Sequence, residues 1–213
     1  MIGFMKKILL VTFYLIFRIT EIQGQIPAQL FFGNNSAEYN FFWFKDVDQN
    51  KKISLFNFTY FTSNYTSSEE NAYEIYQVAT YNFTDNWGIA SGGRFFNNHR
   101  SPQIAISYQY ETEVFYLNLF PTIQFLSNQK EVGYSVFGLL FYRPMINNTW
   151  KLFNQLTFEP LLNTNGHVYS YQQLRIGLEY KTLFQFGIGV NTEHSGREFS
   201  TNQNVGLFIR KEF

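Results

Sequence analysis

The 213-residue sequence contains no cysteine. This absence excludes disulfide frameworks, thiolate zinc sites, iron–sulfur clusters and cysteine-linked lipid anchors. Charge is also scarce, because charged residues make up 15% of the chain against roughly 25% in ordinary soluble domains. The 16 basic and 16 acidic side chains cancel, so no excess of positive charge favours a nucleic-acid partner. We therefore expect no nucleic acid among the partners of this protein.

Long apolar runs are missing as well. Near the start, Lys6 and Lys7 precede an apolar run at 8–17, and polar residues then lead to Gly24. This order is typical of a secretory signal peptide, and the run is short for the roughly 20 residues of a spanning helix. The alternative is an N-terminal membrane anchor. We expect a cleaved signal peptide at 1–24 and one mature domain at 25–213.

Aromatic residues, in contrast, are abundant. The chain has 26 Phe, 15 Tyr and 3 Trp, together 21% of its residues, yet its mean hydropathy is slightly negative. Strands of a transmembrane β-barrel give such an average, because lipid-facing apolar residues alternate with lumen-facing polar ones. The alternative is a soluble β-sandwich or a lipocalin-like barrel, whose core is filled mainly by aliphatic side chains.

Alternation with a period of two runs through the mature chain. In the clearest segment, Phe184, Phe186, Ile188 and Val190 fall on one face, and polar residues or glycines fall between them. Twelve such segments, with ten as the fallback, predict an all-β fold, a single antiparallel transmembrane β-barrel. The segments lie at approximately 25–32, 38–46, 51–63, 72–83, 86–96, 102–111, 113–126, 131–143, 148–161, 167–180, 182–192 and 203–213.

The connections between these segments are predicted to alternate in length. Short connections are expected at 47–50, 84–85, 112, 144–147 and 181. Longer ones are expected at 33–37, 64–71, 97–101, 127–130, 162–166 and 193–202. Short periplasmic turns and longer extracellular loops are typical of outer-membrane barrels, so both chain termini are expected on the periplasmic side.

Three tryptophans mark the ends of segments beside the predicted short connections. Trp43, Trp87 and Trp150 share the phase of the apolar residues in their segments. We expect them to anchor the barrel at a membrane interface, where aromatic girdles lie.

The C-terminal segment carries a second regular pattern. Its apolar face ends on the final residue and consists of Val205, Leu207, Ile209 and Phe213. This segment resembles the C-terminal strand signal of bacterial outer-membrane β-barrel proteins, although Lys211 stands where that family usually has an apolar or aromatic residue. The resemblance implies a Gram-negative outer membrane, contact with outer-membrane lipid, and recognition by the barrel-assembly machinery.

Nine ionisable side chains are predicted to face the lumen. By strand parity they are Arg94, Glu111, Arg143, Lys151, Glu159, Arg175, Glu179, Arg210 and Glu212. Such groups are costly at membrane depth unless they face water or protein. A wet lumen lined by them favours a narrow porin-like channel for a small polar solute. The alternative is a barrel closed by ion pairs that serves as a structural or docking subunit of an outer-membrane complex.

Candidate catalytic pairs are weak. His194 and Ser195 are adjacent and therefore point to opposite faces of a strand. His167 and Ser170 also have the wrong parity, whereas a catalytic serine–histidine pair needs both side chains on one side. We expect no enzyme, no cofactor and no metal site. A lipid-modifying enzyme at the barrel rim is the less favoured alternative.

Overall fold

The computed structural model describes residues 26–97, 99–127 and 130–213, and the predicted signal peptide lies outside them. All twelve predicted strands are present. They are β1 (Pro27–Gly33), β2 (Ser36–Asp46), β3 (Ile53–Asn64), β4 (Ala72–Asn82), β5 (Trp87–Phe96), β6 (His99–Glu111), β7 (Phe115–Leu126), β8 (Glu131–Tyr142), β9 (Trp150–Asn163), β10 (Gly166–Tyr180), β11 (Phe184–Ser195) and β12 (Ser200–Glu212). A short 3-10 helix, Ser68–Glu70, follows β3, and no helix in the described part of the chain is long and apolar enough to cross a membrane.

The strands form one closed antiparallel barrel. Each strand pairs with its neighbours in sequence, and β1 pairs with β12 to complete the ring. This seam runs from Pro27 opposite Glu212 to Gly33 opposite Gly206. Closure removes both sheet edges, so the backbone groups of every strand find partners within the wall. The predicted fold, a twelve-stranded antiparallel barrel, is confirmed.

The outer face of the wall is an apolar belt. On β11 and β12, Phe186, Ile188, Leu207 and Ile209 are 43–63% exposed. The side chains between them, such as Gln185, point inward and are buried. Soluble monomers rarely expose such a continuous apolar surface, and a lipid-facing barrel wall requires one.

The start of β1 and the end of β12 lie at one end of the barrel, which we call the terminal end; the other is the distal end. The three tryptophans all sit near the terminal end. The Trp87 ring lies 4.6 Å from the Tyr108 ring, and the Trp150 ring lies 4.8 Å from the Tyr180 ring. Trp43 is half-buried near the end of β2. Their position is compatible with an aromatic girdle, and their anchoring role stays a prediction.

The prediction that connections alternate in length is wrong. At the distal end, residues 34–35 and 164–165 suffice to join strands, whereas the connections 47–52 and 143–149 at the terminal end are longer. The physical reason is that the strands continue further toward the distal end than the apolar alternation does. Polar residues near the start of β12 are therefore part of the wall and do not form a loop.

A bulge in β10 overturns a second expectation. The register between β10 and β9 shifts between His167 and Tyr169. One extra residue changes the parity of the strand, so His167 and Ser170 share a face. The expectation that parity keeps these two side chains apart is wrong, because His167 Nε2 lies 2.7 Å from Ser170 Oγ.

Two adjacent glycines allow a test of the wall geometry. A Cβ atom added to Gly92 would lie 2.0 Å from the backbone oxygen of Gln77, whereas the nearest atom to one on Gly93 would be 3.4 Å away. We expect Gly92→Ala to destabilise the barrel by about 1–3 kcal/mol, as overpacking does, and Gly93→Ala to be nearly neutral. Urea unfolding in detergent measures both, and equal losses would contradict the close approach of β4 and β5 at this point.

Candidate functional site

Aromatic rings fill the middle of the barrel. These inward-facing side chains come from β2–β4 and β7–β9, and we call them the aromatic layer. It consists of Phe42, Phe44, Phe56, Phe58, Tyr76, Tyr116, Phe120, Phe137, Phe141 and Phe153. The parity argument expected a polar inner face and missed this layer. The unbroken aromatic run at 41–44 is the signal that could have found it, because alternation is absent there.

The rings of the aromatic layer meet across the lumen. The Phe42 and Phe141 rings are 5.8 Å apart, although β2 and β8 stand on opposite sides of the ring of strands. The Phe56 ring lies 5.7 Å from the rings of both Phe120 and Phe137. Offset and edge-on pairs at these separations are attractive, so they hold opposite walls together.

A polar wall faces the aromatic layer. It is built by inward side chains of β1 and β9–β12, each at most 4% exposed: Gln29, Gln155, Gln173, Arg175, Glu179, Gln185, Asn191 and Arg210. Two arginines join the polar wall to aromatic rings. The Arg175 guanidinium lies 4.1 Å from the Phe31 ring centroid, and that of Arg210 lies 4.9 Å from the Phe42 ring centroid. Cation–π attraction stabilises both contacts.

Several amides near the middle of the barrel have no hydrogen-bond partner among the described residues. Neither amide atom of Gln29 has one, and the same holds for Asn40 Nδ2 and Gln173 Nε2. A buried polar group without a partner costs about 1–3 kcal/mol. These amides are therefore available to hydrogen-bond water or a polar solute.

Charged side chains form two groups, one toward each end. In the distal group, Arg94 lies between two carboxylates: its Nε is 2.9 Å from Glu74, and its terminal nitrogen hydrogen-bonds Glu159. Nearby, an Arg175 nitrogen lies 3.8 Å from Glu38, which also accepts a hydrogen bond from Asn191.

The terminal group contains most of the remaining lumen candidates. Glu179 lies 3.6 Å from Arg143 and 3.5 Å from Lys151. Glu212 lies 3.5 Å from Arg143 and 3.1 Å from Arg210. Strand parity in the sequence thus identified charged side chains that the fold brings together.

Strand parity predicted the positions of the other charged residues less completely. Glu111 is exposed at the terminal mouth of the barrel. Glu38, Glu74 and Glu193 also face inward and were missed. They occupy alternate positions on β2, β4 and β11, so the same parity rule could have found them. That these residues line a solute path stays a prediction.

Two cavities open at the barrel ends, with the aromatic layer between them. The distal vestibule has a volume of about 520 Å³ and includes Phe58 and Phe137 in its lining. The terminal vestibule has a volume of about 790 Å³ and includes Phe42 and Phe141. In the described part of the chain, no group of histidines and carboxylates could hold a metal ion.

The two vestibules differ in charge. The distal vestibule is lined by six glutamates and, among described residues, by no lysine or arginine: Glu38, Glu69, Glu70, Glu74, Glu159 and Glu193. The terminal vestibule mixes both signs, with Lys51, Lys52, Arg143, Arg210, Asp46, Asp85, Glu111 and Glu212. Acidic side chains are therefore concentrated at the distal end of the barrel.

Comparison with known proteins gives a fold for this chain. No protein-family model matches it, and no curated protein matches it significantly. Among solved structures, a KdgM porin superposes with a TM-score of 0.50 and 13% identity, over 89% of this chain and 99% of the porin. A NanC porin gives a TM-score of 0.53 and 11% identity, over 89% of this chain and 98% of the porin. The chain shares the barrel fold of these porins.

The Arg94 cluster provides a test of the interior electrostatics. Arg94→Met leaves Glu74 and Glu159 buried without their shared cation, and we expect a loss of about 3–5 kcal/mol in unfolding free energy. Combining it with Glu159→Gln should recover part of that loss, because one buried carboxylate is removed. Urea unfolding of the single and double variants measures the coupling, and strictly additive effects would contradict the cluster.

Proposed function

We propose that the chain is a narrow porin-like channel that passes small polar solutes across a bacterial outer membrane. The observation that carries this proposal is the polar wall, which runs beside the aromatic layer from one vestibule toward the other. The apolar belt supplies the lipid-facing surface that such a channel needs. The KdgM and NanC structures that share its fold are described as porins.

Solute passage follows the polar wall. Amide atoms of Gln29, Asn40 and Gln173 have no hydrogen-bond partner in the described part of the chain and can bond a desolvated solute. The free-energy cost of burying these amide atoms unpaired falls when a solute forms hydrogen bonds with them. The facing rings limit the width of the path. Displacement of ring side chains opens it, so passage is restricted to small molecules and conductance is low.

The charge of the distal vestibule sets a preference among solutes. Its six glutamates outnumber the nearby cations, Arg94 and Arg175. A mouth lined by one sign of charge raises the local concentration of the opposite sign. The channel therefore favours cationic and neutral polar solutes over anions.

The proposed location follows from the wall and the C-terminal strand. The chain is exported through its signal peptide, folded by the barrel-assembly machinery and seated in outer-membrane lipid. The termini lie in the periplasm, with Trp43, Trp87 and Trp150 at that interface. On β12, Val205, Leu207 and Ile209 point outward, which supports a role for this face and Phe213 as the assembly signal.

A second function is favoured by the closed aromatic layer. Rings in contact from opposite walls leave the lumen blocked at rest, which also suits a structural or docking subunit that conducts nothing. The two functions differ in one measurable property, the ion current through the folded barrel.

Conductance of Phe137→Ala distinguishes them. The Phe137 ring contacts four rings of the aromatic layer: Phe56, Phe58, Tyr76 and Phe120. We expect small discrete steps from the wild-type chain in planar bilayers and severalfold larger steps from Phe137→Ala, because its truncation widens the narrowest point.

The matched control is Phe186→Ala, whose side chain is 43% exposed on the outer face and which should leave the steps unchanged. Folding of each variant is checked by heat-modifiable gel mobility. If neither the folded wild type nor the folded Phe137→Ala variant carries an ion current, the result would contradict the channel and favour the structural subunit.

Ion selectivity tests the distal vestibule. We expect a reversal potential that favours cations in a salt gradient. Glu193→Gln should reduce this preference, because Glu193 lines the vestibule. The control Glu198→Gln removes an equal charge from the turn after β11, outside that lining, and should change selectivity less. Anion preference in the wild type would contradict the assignment.

A further inference from the structure

A serine–histidine pair lies on the outer wall near the distal end. His167 Nε2 is 2.7 Å from Ser170 Oγ, and His167 Nδ1 is 2.7 Å from the backbone oxygen of Gly196. The β10 bulge puts both side chains on the outer face. Across the β9 pairing, His167 stands opposite Leu162 and Ser170 stands opposite Pro160, and both of these partners are exposed.

The hydrogen bonds assign the protons of the pair. A backbone carbonyl oxygen only accepts, so Nδ1 of His167 carries the proton and donates it to Gly196. The other ring nitrogen, Nε2, then has its lone pair free and accepts from the Ser170 hydroxyl. This is the arrangement of an activated nucleophile, a base and a group that orients the base.

The turn at 196–199 holds the histidine ring. Phe199 has φ of 52°, a left-handed conformation that costs a non-glycine residue about 1–2 kcal/mol. Its ring stacks on His167 with centroids 4.1 Å apart and planes 20° from parallel. The turn therefore fixes both the plane of the imidazole and the partner of Nδ1.

We propose that Ser170 and His167 form a hydrolytic site for carboxylic esters of membrane lipids. In register with His167 are Leu162 on β9 and, beyond it, Tyr134 on β8, which are 47% and 48% exposed on the outer wall. Exposed tyrosines are typical of the membrane interface, the region where acyl chains join their headgroups. Ser170 itself is 8% exposed. Only a narrow group such as an ester carbonyl can therefore reach its hydroxyl.

The reaction balances with water as the second reactant. Ser170 Oγ forms a bond to the ester carbonyl carbon while its proton passes to His167 Nε2. The bond to the lipid alcohol then breaks, and the alcohol leaves with that proton. Water attacks the acyl-serine ester with His167 again as base, which releases a fatty acid and restores Ser170. Throughout, the Nδ1 hydrogen bond to Gly196 stabilises the charged imidazolium.

Covalent labelling tests the nucleophile. The full chain, folded in detergent, is treated with a small fluorophosphonate, and the modified residue is located by peptide mass mapping. We expect labelling at Ser170, none at this position in Ser170→Ala, and at least about 100-fold slower labelling in His167→Gln, the usual cost of losing a general base.

Two matched controls separate chemistry from folding. Ser91→Ala removes an exposed serine of β5, and His99→Gln removes an exposed histidine of β6. Both should label as fast as wild type. Fatty-acid release from phosphatidylethanolamine vesicles should follow the same order as labelling. Folded wild type that neither labels nor releases fatty acid, or His167→Gln that labels at the wild-type rate, would overturn the proposal.

Discussion

Pairing of β1 with β12 is the constraint on which the rest of the structure depends. It closes twelve strands into a ring and so divides every strand into an outer and an inner face. The outer face must suit lipid, which accounts for exposed side chains such as Ile188 and Leu207. The inner face must fit within a ring narrow enough for opposite walls to touch, as Phe42 and Phe141 do.

Aromatic side chains and polar side chains share the confined volume inside the barrel. Buried arginines contact both, because Arg210 lies over the Phe42 ring while donating to Gln155 and Glu212. A guanidinium packed in this way is positioned by its neighbours and is costly to displace. The same packing that stabilises the barrel therefore narrows the path along the polar wall.

The sequence predicts the faces well wherever apolar residues alternate strictly with polar residues or glycines, as on β11 from Phe184 to Asn191. It fails where that alternation stops. On β2 and β3, aromatic residues occupy both faces, so parity gave no reason to expect a ring-filled lumen. The bulge near Val168 leaves no pattern in the sequence, and it decides whether His167 and Ser170 meet. Contacts across the lumen, such as Arg94 with Glu159, follow only from ring closure, which depends on all twelve strands.

The central claim is that a polar path continues past the aromatic layer. Because the chain has no cysteine, a single introduced thiol is unique, and its reaction with a small cationic methanethiosulfonate reports access by water. A continuous path predicts that Gln173→Cys, on the polar wall, reacts with reagent added to either side of a bilayer. Leu174→Cys, on the lipid-facing side of the same strand, should not react. A thiol at residue 173 that stays unmodified from both sides of the folded barrel would contradict such a path.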